Sequence, residues 1–295
     1  MLKIVIFLNG QRGISVLNYL SELSEINISA VVTPPVFSNE CLELLKEDRF
    51  IHIELENVNN PQAIGQLTRF NADVFVIAGY STIFKREILS LPILGTLNLH
   101  AGTLPAYRGG SPLNWQIING ESKAGLSVIL ADDGIDTGDV VCEEKVSIGC
   151  KDTIADLHVR ANEIFPELTH RALKKIASKE LNRIQFEDDA VYWHQRCDLD
   201  GHIDFNNINA IDVDRMVRGL THPYPGAYAY CNNQKVRIFS VEVPDFTLKG
   251  NNGRVCFIEN KGPYVICSDK AILLIDYQFE DNADQSLVHG QYLIS

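Results

Sequence analysis

The chain has 295 residues, 45% of them hydrophobic and 22% charged. These proportions suit a globular protein with one large domain and a smaller one, and they exclude a disordered or fibrous chain. The formal net charge of −12 argues against any partner held through bulk phosphate charge, so no nucleic-acid partner is expected. No run approaches the roughly twenty apolar residues that span a bilayer, so no membrane partner is expected either.

Lys3–Phe7 reads as a first buried strand, too short for a signal peptide and ended by Asn9-Gly10. A helix follows from about Ile14 to Leu23, with Val16, Leu17 and Leu20 on one face. A strand over Ile28–Val32 stops at Pro34-Pro35. A helix near Glu40–Glu47, a short strand around His52, a helix from Pro61 and the strand Val74–Ala78 continue the alternation. A helix near Lys85–Leu89 leads to the strand Leu97–His100, and Ser127–Leu130 closes the series. Continuous apolar strands between helices predict a doubly wound α/β domain, a mostly parallel sheet with helices on both faces. Thr153–Lys179 then reads as one long helix with a kink or break at Pro166. Beyond about Glu187 the pattern changes to short β runs at Val236–Val243, Arg254–Ile258, Tyr264–Cys267 and Ile272–Tyr277. The expected organisation is a catalytic domain over residues 1–186 and a small β-rich domain over 187–295. The seven cysteines show no C-x-x-C spacing and no zinc-like His/Cys cluster, which fits reduced thiols in a cytoplasmic protein without a metal site.

The stretch from Gly95 to Trp115 is the most informative. Asn98 and His100 stand at i and i+2 at the end of an apolar strand, so both side chains share one face near the carboxyl end of the sheet. Asn98 offers an amide N–H to a developing oxyanion, and His100 an imidazole that exchanges protons near neutral pH. A lone histidine at a strand end is more often structural; its pairing with Asn98 and a glycine-rich loop favours chemistry. A second loop, Asp132-Asp133-Gly134-Ile135-Asp136-Thr137-Gly138-Asp139, lacks the spacing of an EF-hand. Its plain reading is a turn, and its sharper reading a carboxylate that holds the imidazole.

Asn98-x-His100, the run Leu104-Pro105-x-Tyr107-Arg108-Gly109 and Asp136, thirty-six residues after the histidine, resemble the signature of formyltransferases that use N10-formyltetrahydrofolate. The tail from Arg218 to Tyr228 resembles the C-terminal domain of the methionyl-tRNA and aminosugar branches of that family. The resemblance implies a Rossmann-like catalytic domain, N10-formyltetrahydrofolate as the formyl donor and no metal. It implies a homodimer as well. It casts Asn98 as the oxyanion donor, His100 in proton transfer and Asp136 as the group that orients His100. It lays the pterin along Thr82, Ile83 and Phe84, facing Asp132, Asp133, Gly134 and Ile135.

The acceptor is a matter of charge. From Glu187 onward sixteen acidic residues stand against nine basic ones, the wrong sign for a tRNA-holding domain. Pro34–Glu40 carries no cation where the tRNA branch has a basic loop, and Ser111–Trp115 with Asn119-Gly120-Glu121 looks more like the aminosugar branch. The expected acceptor is therefore an aminosugar linked to a nucleoside diphosphate, of dTDP or UDP type. Methionyl-tRNA is the alternative, as is a non-catalytic protein that binds folate or a sugar nucleotide. Candidate substrate contacts are Asn9 and Arg12 at the first strand-to-helix turn, where backbone N–H groups suit phosphate, and Tyr192, Trp193 and Arg196, with stacking surface and a charge. Tyr80, Gly102, Thr103, Tyr107 and Tyr224 complete the set. The related lipid A-modifying enzyme carries an arginine at the position of Gly110, so one charge near the site is missing.

Overall fold

A computed structural model describes residues 1–37, 49–180 and 182–294, and the helix expected near Glu40–Glu47 lies outside the described residues. The chain divides into two compact units. The first comprises Met1–Pro112, Ala124–Val146 and Val159–Trp193, and the second Leu113–Lys123, Ser147–His158 and His194–Ser295.

In the first unit, Leu2–Leu8 (β1), Ile26–Thr33 (β2), His52–Glu54 (β3), Val74–Ala78 (β4) and Thr96–His100 (β5) pair in parallel. After the two-residue strand Arg108–Gly109 (β6), Lys123–Leu130 (β7) joins the edge of β5 and Val140–Ser147 (β8) follows, giving the order β3-β2-β1-β4-β5-β7-β8. The mostly parallel, doubly wound sheet is as expected. The direction of β7 is not legible in its residues: it runs antiparallel to β5, with Leu97 opposite Leu130 and His100 opposite Ser127. β1 is buried from Ile4 to Leu8 because helices cover both faces of the sheet.

Gly10–Ser21 (α1) turns Ile14, Val16, Leu17 and Leu20 inward, and Pro61–Thr68 (α2) starts on Asn60, whose side chain accepts from the Ala63 N–H. Arg86–Leu89 (α3) is a single turn after β4. On one face of the sheet Phe7 meets Phe75, Tyr80 and Phe84 edge to face, with centroids 5.2, 5.8 and 4.8 Å away. Pro112–Ile118 (α4) is a short helix. Ile154–Ser178 (α5) continues through Pro166, where a kink or break was expected, and does not end there, since buried Leu157, Ala161, Phe165, Leu168 and Ala172 keep one apolar stripe on both sides of the proline. Tyr192–Trp193 (β9) pairs in parallel with β6.

The second unit holds Ala227–Cys231 (β10), Gln234–Glu242 (β11), Val255–Ile258 (β12), Lys261–Ile266 (β13) and Ala271–Phe279 (β14) in the order β10-β11-β14-β13-β12. The four expected β runs are present; β10 and the helix Ala210–Leu220 (α6) are additions. α6 starts on Asn209, whose side chain accepts from the Asp212 N–H, and it buries Val213, Val217 and Leu220 in a core with Ile238, Val265 and Phe279. Among the described residues no helix is long and apolar enough to cross a membrane, and no group of His, Cys, Asp and Glu could hold a metal ion.

Candidate active site

Because β5 alternates its side chains, Asn98 and His100 emerge on one face of the sheet, two positions apart. The loop after β7 starts opposite the amino-terminal half of β5, with the Ala131 N–H bonded to the Thr96 carbonyl. It then folds back across that face and brings Asp136 to both residues. Asp136 Oδ1 accepts from Asn98 Nδ2 at 3.3 Å, and Oδ2 lies 3.3 Å from His100 Nδ1. Oδ2 also accepts the Gly109 N–H at 2.9 Å. One carboxylate thus touches the strand amide, the imidazole and the glycine loop. Asn98 and His100 were expected to present their chemistry near the carboxyl end of the sheet. They stand in the carboxyl-terminal half of β5, and the loop after the antiparallel β7 delivers the carboxylate along the same face.

His100 is buried, and its other nitrogen, Nε2, lies 2.6 Å from the Tyr107 carbonyl. A neutral ring has one N–H and serves one of these two acceptors; an imidazolium serves both. Gly102 lies against the ring, where a Cβ would come 2.5 Å from Nε2 and 2.7 Å from the Tyr107 oxygen. Gly109 has φ +94°, a region that disfavours side chains, and this conformation aims its N–H at Asp136. One Asn98 N–H is given to Asp136, which leaves the second for an oxygen on a reacting carbon. An amide donor, a proton-exchanging ring and an orienting carboxylate around one point can stabilise a tetrahedral intermediate and move the proton of an attacking amine.

The two loops expected to hold the pterin are joined. Arg86 Nε donates to Asp133 Oδ2 at 2.7 Å, which ties the segment after Phe84 to the 132–136 loop. Asn59 pins the first loop by donating to the Ile83 carbonyl and accepting the Lys85 N–H. Ile83 and Ile135 stand exposed on these loops. Phe84 differs from its neighbours in burying its side chain in the aromatic cluster with Phe7. Asp132 closes its own loop, accepting from the Gly134 N–H and the Thr137 hydroxyl, so its carboxylate is engaged in a turn. Thr82 is half-buried.

The expected substrate contacts scatter. Tyr80 is buried with its hydroxyl donated to the Leu55 carbonyl, and burial pushes its phenol up to about 12. Tyr107 is buried and stacks on Trp193 at 5.6 Å, while the Trp193 indole donates to the Ala106 carbonyl. The Tyr192 hydroxyl accepts from Arg108 Nη1. Tyr80, Tyr107 and Trp193 are therefore packed against the chain itself, whereas the Tyr192 ring is 53% exposed. Thr103 is half-buried beside Gly125, where a Cβ would collide with it. Asn9 precedes α1, and the Arg12 guanidinium lies over the Phe165 ring at 4.9 Å. Arg196 and Tyr224 belong to the second unit, as do their partners: Arg196 stacks over Trp115 and donates to the Asp200 carbonyl, and Tyr224 pairs with His158 at 3.0 Å.

Sequence reasoning missed Gln185. It is buried, its Nε2 donates to the carbonyls of Asp136 (2.9 Å) and Gly138 (2.6 Å), and its Oε1 accepts from Arg108 Nε at 3.1 Å. Nothing in a mixed polar segment such as Arg183–Asp189 marks one glutamine as interior.

An amide, an imidazole and a carboxylate gathered on a doubly wound sheet beside a glycine loop are a constellation suited to acyl-group transfer. The chain belongs to the formyl transferase family: residues 31–173 match the formyl transferase domain and residues 198–288 the formyl transferase C-terminal domain. It is 32% identical over 238 residues to the methionyl-tRNA formyltransferase of Caldanaerobacter subterraneus subsp. tengcongensis, covering 80% of this chain and 75% of that one. It is also 32% identical over 228 residues to the bifunctional polymyxin resistance protein ArnA of Wigglesworthia glossinidia brevipalpis, covering 77% of this chain and 34% of that one. Among solved structures, an N-formyltransferase from Helicobacter canadensis in complex with folinic acid and dTDP-3-aminofucose shares the fold, with a TM-score of 0.66, 18% identity and coverage of 93% and 99%. The protein is a formyltransferase enzyme, and its formyl donor is N10-formyltetrahydrofolate.

Proposed function

We propose that the acceptor is the amino group of methionyl-tRNA, that Asn98, His100 and Asp136 carry the transfer, and that residues 1–186 form the catalytic domain beside a β-rich domain over 187–295. The observation that supports the acceptor is the likeness to methionyl-tRNA formyltransferases across both family domains, which reaches 96% of this chain and 94% of the relative from Clostridium botulinum at 27% identity. This departs from the aminosugar expected on charge.

N10-formyltetrahydrofolate supplies a formyl carbon already activated by its nitrogen leaving group, and Ile83, Ile135 and the loops joined by Arg86–Asp133 are the residues that would hold it. The free Asn98 N–H donates to the oxygen that gains charge as the amine attacks. His100, once Nε2 leaves the Tyr107 carbonyl, takes the proton from the attacking amine and returns it to the leaving nitrogen. Asp136 fixes the ring through Nδ1 and holds Asn98 through Nδ2.

A second reading, an aminosugar linked to dTDP or UDP, is favoured by one observation: the sixteen acidic against nine basic residues from Glu187 onward, which oppose a phosphate backbone. The test measures tetrahydrofolate release with methionyl-tRNA, a dTDP-aminosugar and a UDP-aminosugar in parallel. Methionyl-tRNA is expected to accelerate release, and His100→Ala and Asp136→Ala to lower that rate by at least about a hundredfold with the fold intact. Acceleration by a sugar nucleotide alone would reassign the acceptor. Near-normal turnover in either folded variant would remove the roles given to the two side chains.

A further inference from the structure

We propose that Gln185 is a positioning residue for formyl transfer, setting the place of the Asp136 carboxylate from behind. This rests on the role proposed for Asp136.

The stretch around Gln185 inverts the usual rule of burial. Ile184 and Phe186 are 63% and 71% exposed, whereas Gln185 between them is 8% exposed. In an extended segment with alternating side chains, the apolar pair would ordinarily take the interior and the amide the water. A buried amide is tolerated only where its polar atoms find partners. Gln185 makes three such bonds, two donated to Asp136 and Gly138 and one accepted from Arg108. The segment is fixed at both ends. Arg183 exchanges backbone bonds with Val140, and Val191 bonds Pro105 and Arg108.

Asp136 needs such support. Its φ is +54°, in the left-handed region that residues with a side chain rarely occupy, and its carboxylate must satisfy Asn98, His100 and Gly109 together. The bonds close into a ring. Arg108 holds Gln185, Gln185 holds the Asp136 carbonyl, the Asp136 carboxylate holds the Gly109 N–H, and Gly109 is the next residue after Arg108. Arg108 is itself fully buried and braced by Glu187 and the Tyr192 hydroxyl. A ring that fixes both the backbone and the side chain of one loop residue leaves the carboxylate a single place to stand.

Two variants test the proposal. Gln185→Glu keeps the shape and the acceptor for Arg108 but turns both donors into oxygen facing two carbonyls; Gln185→Met removes the polar atoms at similar length. With the acceptor that the assay above identifies, kcat is expected to fall roughly tenfold to a hundredfold, the cost of a reacting group displaced by about 1 Å. Because Gln185 also bonds the backbone of the loop that carries Ile135, KM for N10-formyltetrahydrofolate is expected to shift together with kcat, and the deciding readouts are the two that follow. In an Asp136→Ala background the same substitutions should lower kcat by less than about twofold, since no carboxylate remains to be placed. A readout that needs no acceptor is hydrogen exchange at the Gly109 amide, which should speed up in both variants as its bond to Asp136 is lost. Unchanged kcat in a folded variant, an undiminished loss in the Asp136→Ala background, or unchanged Gly109 protection would each overturn the role of Gln185. Normal turnover of Asp136→Ala by itself would instead overturn the mechanism on which this inference rests.

Discussion

Replacing Gly102 by alanine adds one methyl group at the most crowded point of the site. The new carbon would lie 2.5 Å from His100 Nε2 and 2.7 Å from the Tyr107 carbonyl, against ordinary contacts of 3.4 Å or more. The carbonyl belongs to the backbone of the buried Tyr107 and accepts from His100, so it has little room to retreat. The ring is the part that yields, by about 1 Å, and a displacement of that size in a proton-transfer group lowers turnover by roughly a hundredfold. Overpacking of a buried position costs about 1–3 kcal/mol, so the variant should still fold with a lower thermal midpoint. The assay is steady-state formyl transfer beside a thermal unfolding curve. The expected result is a large fall in kcat with KM for the formyl donor nearly unchanged. A folded Gly102→Ala enzyme with kcat within about twofold of the parent would show that the tight fit of the ring has no part in catalysis.

Ile83 and Phe84 should separate cleanly although they are neighbours. Phe84→Ala is expected to cost about 3–5 kcal/mol by emptying the aromatic cluster around Phe7, read as a lower unfolding midpoint in urea. Ile83→Ala should change stability by less than about 0.5 kcal/mol and raise KM for N10-formyltetrahydrofolate by roughly threefold to tenfold; an unchanged KM would count against this loop as a wall of the donor site. In the second unit, hydrogen bonds from Arg237 hold the Asp198 carboxyl down at about 2 from 3.8. A depressed carboxyl stabilises the folded state above its unfolded pKa, and that contribution fades as pH falls from about 4 through about 2. With 40% of the side chain open to water, the screened share is about 1 kcal/mol. Asp198→Asn should therefore unfold at lower urea than the parent at pH 7, with the gap closing toward pH 2; a gap that ignores pH would point to packing instead.

The sheet and its helices were legible because buried strands such as β1 and β4 are nearly continuous apolar runs, and the stripe of α5 repeats at helical spacing. The pair Asn98 and His100 was legible from strand alternation alone. Asp136 was expected at the imidazole from the family resemblance; the route its loop takes was not legible, because strand direction leaves no mark on the residues of β7. The aromatic candidates were harder to place: Tyr80, Tyr107 and Trp193 look the same in sequence whether they stack on a ligand or on one another, and here each is engaged by the chain. Gln185 was invisible for the opposite reason, being polar in a segment where polarity normally signals water.

The meeting of Asn98, His100 and Asp136 on the flat of the sheet has a consequence for how this enzyme type diversifies. In the proposed mechanism these three groups address only the small carbonyl fragment in transit, and none of them has to read the molecule that receives it. The choice of recipient can then drift with distant surfaces while the reacting machinery stays constant, so an evolutionary switch of recipient needs no change in the chemistry itself.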